Sequence, residues 1–338
     1  MKSILVEGPG QMTLVERPDP VPAAGEVRVR VRHAGICGSD LHIYHGTHPF
    51  VRYPRVIGHE FAGAIDAVGS GVDVGRIGQP VSVTPVISCG ECYQCRVGRP
   101  NVCANLQVVG VHRDGGFSEY CCVPADIAHP IPDHVDDRAA ATVEPFSIAA
   151  NMLSRTGVEP YEVALVYGAG PIGMTVIQAL KGVYQVETLI VADRIDGRLE
   201  WARTAGADLA INTTGLNLAD VLKERGFSPT LIIDAACHPT ILEEAIDLAS
   251  PAARIGLMGF SPDPSHVSQR KLNAKELSIF ASRLNNRQFP TVIDWMAKGQ
   301  INPGQFISHN FPFTSVHDAF TLLETAPADC CKVMLDFA

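Results

Sequence analysis

Residues 166–181 have the sequence VYGAGPIGMTVIQALK, with three glycines in the pattern G-x-G-x-x-G at Gly168, Gly170 and Gly173. The pattern follows a short apolar stretch typical of a strand and opens a longer stretch typical of a helix. Asp193 ends the next strand-like stretch, twenty residues after Gly173. Glycines in such a turn let the backbone approach a pyrophosphate at a helix N-terminus, and the later carboxylate can bind ribose hydroxyls.

This context predicts a dinucleotide-binding unit. An aspartate at position 193 would repel a 2'-phosphate, which favours NAD over NADP. Arg194 leaves NADP open, because an arginine in that loop could pair with the phosphate. Arg198 could lie along the adenine or ribose, or it could be a solvated helix residue. The predicted cofactor-binding residues are Gly168, Gly170, Pro171, Ile172, Gly173, Asp193 and Arg198.

Two patterns of predicted secondary structure divide the chain. From about residue 160, strand-like stretches alternate with helix-like ones, which predicts a parallel sheet covered by helices. Before about residue 145, short apolar stretches broken by Gly and Pro predict a small open barrel. Within EVRVRVRHA, residues 26–34, the valines Val27, Val29 and Val31 alternate with arginines, as in a strand with one buried face.

Composition and charge exclude several classes of protein. The chain has 338 residues, and its 27 basic and 36 acidic residues give a net charge of −9, without a long basic run. Nucleic acid and anionic membranes are therefore not expected as main partners. The N-terminal segment lacks the apolar core of a signal peptide, so we predict a cytoplasmic protein. Residues 163–180 carry no charge over the minimum length of a membrane span, but their glycines and proline favour a strand-to-helix turn.

The ten cysteines are unevenly placed. Four of them lie within residues 88–103, SCGECYQCRVGRPNVC, at successive offsets of three, three and eight. Disulfides are not expected in a chain without an export signal, whereas thiolates at this spacing can form a closed, structural zinc site. The predicted ligands of that zinc are Cys89, Cys92, Cys95 and Cys103. The other cysteines are predicted to be small packing residues; they are Cys121, Cys122, Cys237, Cys330 and Cys331.

A second metal site is suggested nearer the N-terminus. Residues 35–44, GICGSDLHIY, contain Cys37, and the later stretch RVIGHEFAGAIDAVGSGV places His59 beside Glu60. Thiolate, imidazole and carboxylate are the ligand types that zinc prefers.

Together these motifs resemble the zinc-dependent medium-chain dehydrogenases over essentially the whole chain. The zinc signature of that family is matched at Gly58, His59, Glu60, Gly63, Gly69 and Val72. The resemblance implies an α/β protein with a GroES-like β-barrel catalytic domain and a Rossmann doubly wound parallel-sheet domain. The expected boundaries are 1–146 and 284–338 for the catalytic domain, about 86–105 for its structural zinc lobe, and 147–283 for the NAD-binding domain.

The resemblance also assigns roles at the catalytic zinc. Cys37 and His59 match two ligands, and Glu144 stands where some branches have a carboxylate as the third ligand. Glu60 is either a carboxylate just outside the ligands or an exchangeable fourth ligand. Asp40 matches the partner that orients the zinc histidine.

The ligand set implies a chemistry. Three protein ligands leave an open position where a substrate hydroxyl can bind and become more acidic. We expect Ser39 to accept the hydroxyl proton and to pass it through the nicotinamide ribose to His42 and solvent. The hydride would leave the same carbon for the nicotinamide.

Several further stretches resemble the bacterial starvation-sensing dehydrogenase subgroup, which is similar to the L-gulonate and L-galactonate 5-dehydrogenases. They include residues 190–200, IVADRIDGRLE, and residues 276–285, ELSIFASRLN. The resemblance implies oxidation of a secondary hydroxyl on a hexonate. The leading candidate is L-gulonate, oxidised at C5 to D-fructuronate. The alternatives are L-galactonate, a sorbitol-like polyol and L-threonine.

Arg283 is the predicted carboxylate partner, because a guanidinium can donate two parallel hydrogen bonds to a carboxylate. The alternative is that it packs at a subunit or domain interface. A non-catalytic metabolite-sensing regulator is the rival from another class, but a regulator would not need Ser39 and His42. The family suggests a homo-oligomer, either a dimer or a tetramer, that acts on a small molecule.

Overall fold

The computed structural model describes residues 1–337. The chain forms two compact units. The first comprises Met1–Ser147, Asn285–Lys298 and the residues from Ile307 onward, and the second comprises Ile148–Leu284 and Gly299–Phe306. The units are the predicted barrel-type domain and the predicted Rossmann domain.

In chain order, the strands are β1 (Lys2–Gly8), β2 (Gln11–Glu16), β3 (Glu26–Gly35), β4 (Arg55–Val56), β5 (Glu60–Val68), β6 (Pro80–Val83), β7 (Val86–Ile87), β8 (Gln107–Val108), β9 (Tyr120–Pro124), β10 (Ala128–Pro130), β11 (Val163–Tyr167), β12 (Thr188–Asp193), β13 (Leu209–Asn212), β14 (Leu231–Asp234), β15 (Arg254–Leu257), β16 (Ser278–Ala281), β17 (Ile307–Pro312) and β18 (Lys332–Asp336). The α-helices are α1 (Gly38–Tyr44), α2 (Tyr93–Arg96), α3 (Asp137–Ala141), α4 (Val143–Thr156), α5 (Pro171–Gln178), α6 (Asp196–Thr204), α7 (Leu218–Glu224), α8 (Pro239–Leu248), α9 (Gln269–Lys275), α10 (Phe289–Ala297) and α11 (Val316–Thr325).

The main sheet of the first unit is built around β3. Its strand order is β10-β6-β5-β3-β18-β17, and β9 also pairs with β3. Val27, Val29 and Val31 are buried, so the alternating pattern is confirmed as one core-facing side of β3. The end of the chain returns to this unit, because β18 pairs antiparallel with β3 and places Met334 opposite Gly35.

The sheet of the second unit has the order β13-β12-β11-β14-β15-β16, and each neighbouring pair is parallel. The first strand, β11, lies in the middle, so the chain winds outward first on one side and then on the other. This is the doubly wound arrangement, which places a ligand site at the carboxyl end of the central strands. Leu165, Ile190 and Ile232 belong to its core.

The predicted domain boundaries placed residues 299–306 in the catalytic domain. In the structure they belong to the second unit. The N–H of Asn302 donates to Gln178 Oε1 at 2.8 Å. A Cβ added at Gly182 would lie 1.8 Å from the carbonyl oxygen of Gln300, so the backbones pack closely there. These tertiary contacts leave no mark in the local sequence.

The uncharged stretch 163–180 is divided between β11, a glycine turn, α5 and the start of the π-helical turn Ala179–Val183, in agreement with the predicted strand-to-helix turn. Within residues 1–337, none of the helices combines the length and the apolar character needed to cross a bilayer.

Candidate active site and structural metal lobe

The junction between β3 and α1 positions Cys37. Cys37 is the N-cap residue of α1, and its backbone N–H donates to Asp40 Oδ2 at 2.9 Å. An acidic residue three positions after an N-cap satisfies a donor that the helix itself leaves unpaired. The close spacing of Cys37 and Asp40 in the sequence thus has a local structural cause in addition to its chemical one.

His59 and Glu60 come to this junction from the start of β5. Gly58 precedes them at φ +91°, and a Cβ there would lie 2.2 Å from the Phe117 ring, so this turn requires glycine. Donor atoms of Cys37, His59 and Glu60 all lie within 4.8 Å of one another. The structure therefore gathers a thiol, an imidazole and a carboxylate where one metal ion could bind them.

Asp40 also faces His59. Its Oδ1 lies 3.6 Å from His59 Nδ1, and within residues 1–337 neither of these two buried atoms has a hydrogen-bond partner. Buried polar atoms are normally paired. The arrangement fits a carboxylate that orients an imidazole whose Nε2 is left for a metal. Burial lowers the pKa of His59, but Asp40 and Cys37 outweigh burial and hold that pKa well above its usual value.

Glu144 lies in the first turn of α4 and is 4% exposed. Burial raises the pKa of Glu144 to about 7; His59 opposes the rise and Glu60 adds to it. Glu144 is thus electrostatically coupled to the site, but the group of donor atoms within 4.8 Å contains Glu60 in its place. Its role as third ligand stays a prediction.

Lys332 is a site residue that the sequence argument missed. Its Nζ lies 2.8 Å from Glu60 Oε1 and 2.6 Å from Oε2, and both side chains are almost fully buried. Its mark in the sequence is a lysine that opens a strand, KVMLD, and precedes three apolar residues. Its partner is 272 residues away, and local pattern alone could not identify it.

The two predicted relay residues occupy different environments. Ser39 Oγ lies 3.4 Å from His59 Nε2. His42 is exposed, and its Nδ1 is 2.9 Å from Thr47 Oγ1. Because they are three positions apart in α1, Ser39 and His42 lie on the same side of the helix. One is beside the candidate metal ligand, and the other reaches solvent.

The four cysteines of the lobe between β7 and β8 converge as predicted. Their Sγ atoms are separated by 3.4 Å for Cys92 and Cys95, 3.7 Å for Cys92 and Cys103, and 3.4 Å for Cys103 and Cys89. These separations are far too long for disulfides. They are close to the edge of a tetrahedron with zinc–sulfur bonds of about 2.3 Å. Backbone N–H groups lower the pKa of Cys92 to about 6, which favours the thiolate.

The glycine turn after β11 forms a cradle. Gly168 has φ +89°, and a Cβ at Gly173 would lie 1.9 Å from the Gly168 carbonyl oxygen. Gly170 is the N-cap of α5, which begins with Pro171 followed by Ile172. The cradle thus keeps a helix N-terminus open to a close-fitting anion.

Asp193, at the end of β12, closes one side of this cradle. Its Oδ2 accepts from the Ala169 N–H at 2.7 Å, and its Oδ1 accepts from the N–H groups of Arg194 and Ile195 at 2.7 and 2.9 Å. Arg198 Nη1 would lie 3.6 Å from a Cβ added at Gly170. The structure therefore brings together the glycines, Asp193 and Arg198.

Arg283 follows β16. Its guanidinium carbon lies 5.9 Å from the centroid of the Phe260 ring, within the second unit. A cation–π contact of this kind orients a guanidinium.

Comparison with known proteins agrees with this arrangement. Residues 23–133 match the alcohol dehydrogenase GroES-like domain, and residues 171–298 match the zinc-binding dehydrogenase family. The starvation-sensing protein RspB of Escherichia coli K12 is 59% identical over 338 residues, with 100% of both chains covered. This chain belongs to the zinc-dependent medium-chain alcohol dehydrogenases. Membership confirms the predicted family, the fold class and the dehydrogenase class, and it identifies zinc as the metal of the family.

Other similar proteins are named for different substrates. The L-galactonate-5-dehydrogenase of Escherichia coli K12 is 32% identical over 325 residues, 95% of this chain and 94% of that protein. The L-threonine 3-dehydrogenase of Saccharopolyspora erythraea is 34% identical over 349 residues, 100% of this chain and 99% of that protein. A crystal structure of the alcohol dehydrogenase RspB from Escherichia coli CFT073 with NADH superimposes with a TM-score of 0.97 at 58% identity, covering 100% of this chain and 99% of that one.

Proposed function

We propose that this dehydrogenase oxidises a secondary hydroxyl of a sugar acid with NAD, and that its substrate is L-gulonate, oxidised at C5 to D-fructuronate. The observation that carries the reaction type is the group formed by Cys37, His59 and Glu60 beside Ser39. The similarity to an L-galactonate-5-dehydrogenase supports the substrate class and makes L-galactonate, giving D-tagaturonate, the second candidate.

The proposed metal ligands are Cys37 and His59, with Glu144 as the third; Glu60 lies beside them, either just outside the ligands or as an exchangeable fourth ligand. A zinc ion held there would supply Lewis acidity toward a substrate hydroxyl. Asp40 holds the N-cap of α1 and faces the His59 imidazole, so it sets the direction of His59. Ser39 is the proposed first acceptor of the hydroxyl proton, and the exposed imidazole of His42 is the proposed exit to solvent.

NAD is the proposed hydride acceptor. The glycine cradle at the start of α5 fits a pyrophosphate, and the Asp193 carboxylate disfavours a 2'-phosphate nearby. The similar RspB structure from Escherichia coli contains NADH, which supports the same choice here. Arg283 is the proposed partner of the substrate carboxylate.

We further propose that the protein is cytoplasmic and works as a homo-oligomer. Four of the ten cysteines converge in one lobe at sulfur–sulfur separations that suit a metal and are too long for disulfides, and thiolate sites of this kind are favoured in a reducing compartment. The exposed edge strand β16 of the second unit supports the homo-oligomer.

A screen of hexonates, hexitols and L-threonine with NAD and with NADP, following absorbance of the reduced cofactor, tests the proposal. We expect the highest kcat/KM for L-gulonate with NAD. Arg283→Met should raise KM for the acid by roughly tenfold or more, the loss of a charge-assisted hydrogen bond, and should change KM for a neutral hexitol little. Cys37→Ser should abolish turnover of both.

Strong turnover of sorbitol or L-threonine with none of any hexonate would overturn the substrate assignment. A preference for NADP would contradict the role of Asp193. If Arg283→Met raised KM equally for the acid and for the hexitol, Arg283 would be a structural residue. If no compound of the screen reduced NAD, a metabolite-sensing role would replace catalysis.

A further inference from the structure

The buried pair formed by Glu60 and Lys332 has an unusual position. Glu60 is 1% exposed and Lys332 is 2% exposed. One ammonium group lies within hydrogen-bond distance of both oxygens of the carboxylate, at 2.8 and 2.6 Å. The same carboxylate has an oxygen within 4.8 Å of donor atoms of both Cys37 and His59. Glu60 therefore stands between a lysine and a candidate metal site.

The surrounding backbone holds this pair in place. Lys332 Nζ also donates to the Ile36 carbonyl oxygen at 3.2 Å. A Cβ added at Gly35 would lie 2.2 Å from Glu60 Oε2, so the carboxylate rests in space that only glycine leaves. In the pairing of β18 with β3, Gly35 lies opposite Met334, and Lys332 lies two residues before Met334 in the same strand. We call Gly35, Glu60 and Lys332 the carboxylate clamp.

The clamp and a metal compete for one carboxylate. A carboxylate oxygen is also a zinc ligand, and the lysine already uses lone pairs on both oxygens of Glu60. Without the lysine, a buried anion would remain beside the thiol of Cys37, and an uncompensated buried charge is strongly unfavourable. The nearest compensation would then be the metal.

We propose that Lys332 is a positioning residue that holds the Glu60 carboxylate away from the metal, so that the open coordination position is kept for the substrate. The proposal rests on the proposed metal site at Cys37 and His59. It gives a role to a lysine that is almost fully buried beside the metal site and is not assigned a contact with the substrate.

Titration of the cobalt-substituted protein with imidazole tests this inference. Imidazole is neutral, so the loss of the lysine charge has little direct effect on its affinity. The closed four-cysteine site has no open coordination position, so imidazole does not bind there. In Lys332→Met, released Glu60 should occupy the open position and weaken imidazole binding by roughly tenfold, the effect of a modest competing interaction. The double variant Glu60→Gln/Lys332→Met should bind imidazole as the wild type does, and Lys332→Arg should stay near the wild type.

Gly35→Ala provides a second route, because its Cβ displaces Glu60 while Lys332 remains; its imidazole affinity should also fall. Unchanged affinity in Lys332→Met, or in Gly35→Ala if Lys332→Met does not fold, would overturn the proposal. Weakened affinity that Glu60→Gln fails to restore would overturn it too, because the effect would not pass through Glu60. A separate variant tests the metal site itself. If Cys37 and His59 do not bind the metal, Cys37→Ser should leave the imidazole-sensitive cobalt spectrum intact.

Discussion

At the scale of single residues, His129 shows how burial tunes a titrating group. Its imidazole lies in β10 against the buried ring of Phe289, with ring centroids 5.3 Å apart. Burial lowers the pKa of His129 below its usual value of 6.5; Asp126 opposes the change and Arg76 adds to it. The folded protein therefore favours the neutral imidazole.

A pKa that is lower in the folded state than in the unfolded chain makes the free energy of unfolding fall as the pH falls. The contribution of His129 is fully present above the unfolded pKa of 6.5 and is lost as pH falls below it, because protonation then favours the unfolded chain. We expect His129→Gln to lose less Tm than the wild type between about pH 7.5 and about pH 5.5. Thermal melts across that range measure it, and identical slopes for the two proteins would contradict the assignment.

At the scale of elements, the lobe around β7, α2 and β8 has little hydrophobic core. Its strands have two residues each and its helix has four. Tyr93 and Val97 are 70% and 50% exposed. Such short elements are not stable by themselves, so the lobe depends on the metal that its four cysteines can bind.

Removal of one ligand should therefore unfold this element selectively. We expect wild-type protein to contain two zinc ions per chain and Cys92→Ser to contain one, since three thiolates and a hydroxyl bind zinc less tightly. Metal analysis together with the Tm checks this expectation. Cys122→Ser is the matched control, because Cys122 is a half-buried thiol outside both metal-binding groups. Retention of two zinc ions by Cys92→Ser would refute the structural site.

At the scale of the whole molecule, the sheet of the second unit ends in an exposed edge. β16 is the last strand in the sheet order. Three of its residues are exposed, among them Ile279 at 37%. An apolar strand edge offers backbone donors and acceptors to another strand, and a second copy of the chain is the proposed occupant.

Light scattering after size exclusion should give a mass of at least twice 36.2 kDa. Ile279→Lys should lower the oligomer fraction, because a charge opposes strand pairing at an edge. Val74→Lys, at an apolar residue that is 71% exposed in the first unit, should leave it unchanged. A wild-type mass of a single chain would contradict the proposed homo-oligomer.

The sequence by itself determined the features that depend on short spacing. The glycine pattern at residues 168–173 requires a tight turn, because Gly168 has a positive φ and a Cβ at Gly173 would collide with the Gly168 carbonyl oxygen. The four clustered cysteines converge because the lobe that joins them is short. Alternating valines identified the core side of β3. In each case the physical cause acts over a few residues and is therefore visible in the local pattern.

Tertiary structure alone decided which distant side chains meet. It placed Glu60, rather than Glu144, in the group with Cys37 and His59, and it paired Glu60 with Lys332 across 272 residues. It also assigned residues 299–306 to the second unit. Burial turns such encounters into strong interactions, because a charge removed from water must find its partner within the fold. A linear sequence records the two charges but not the strand pairing that brings them together.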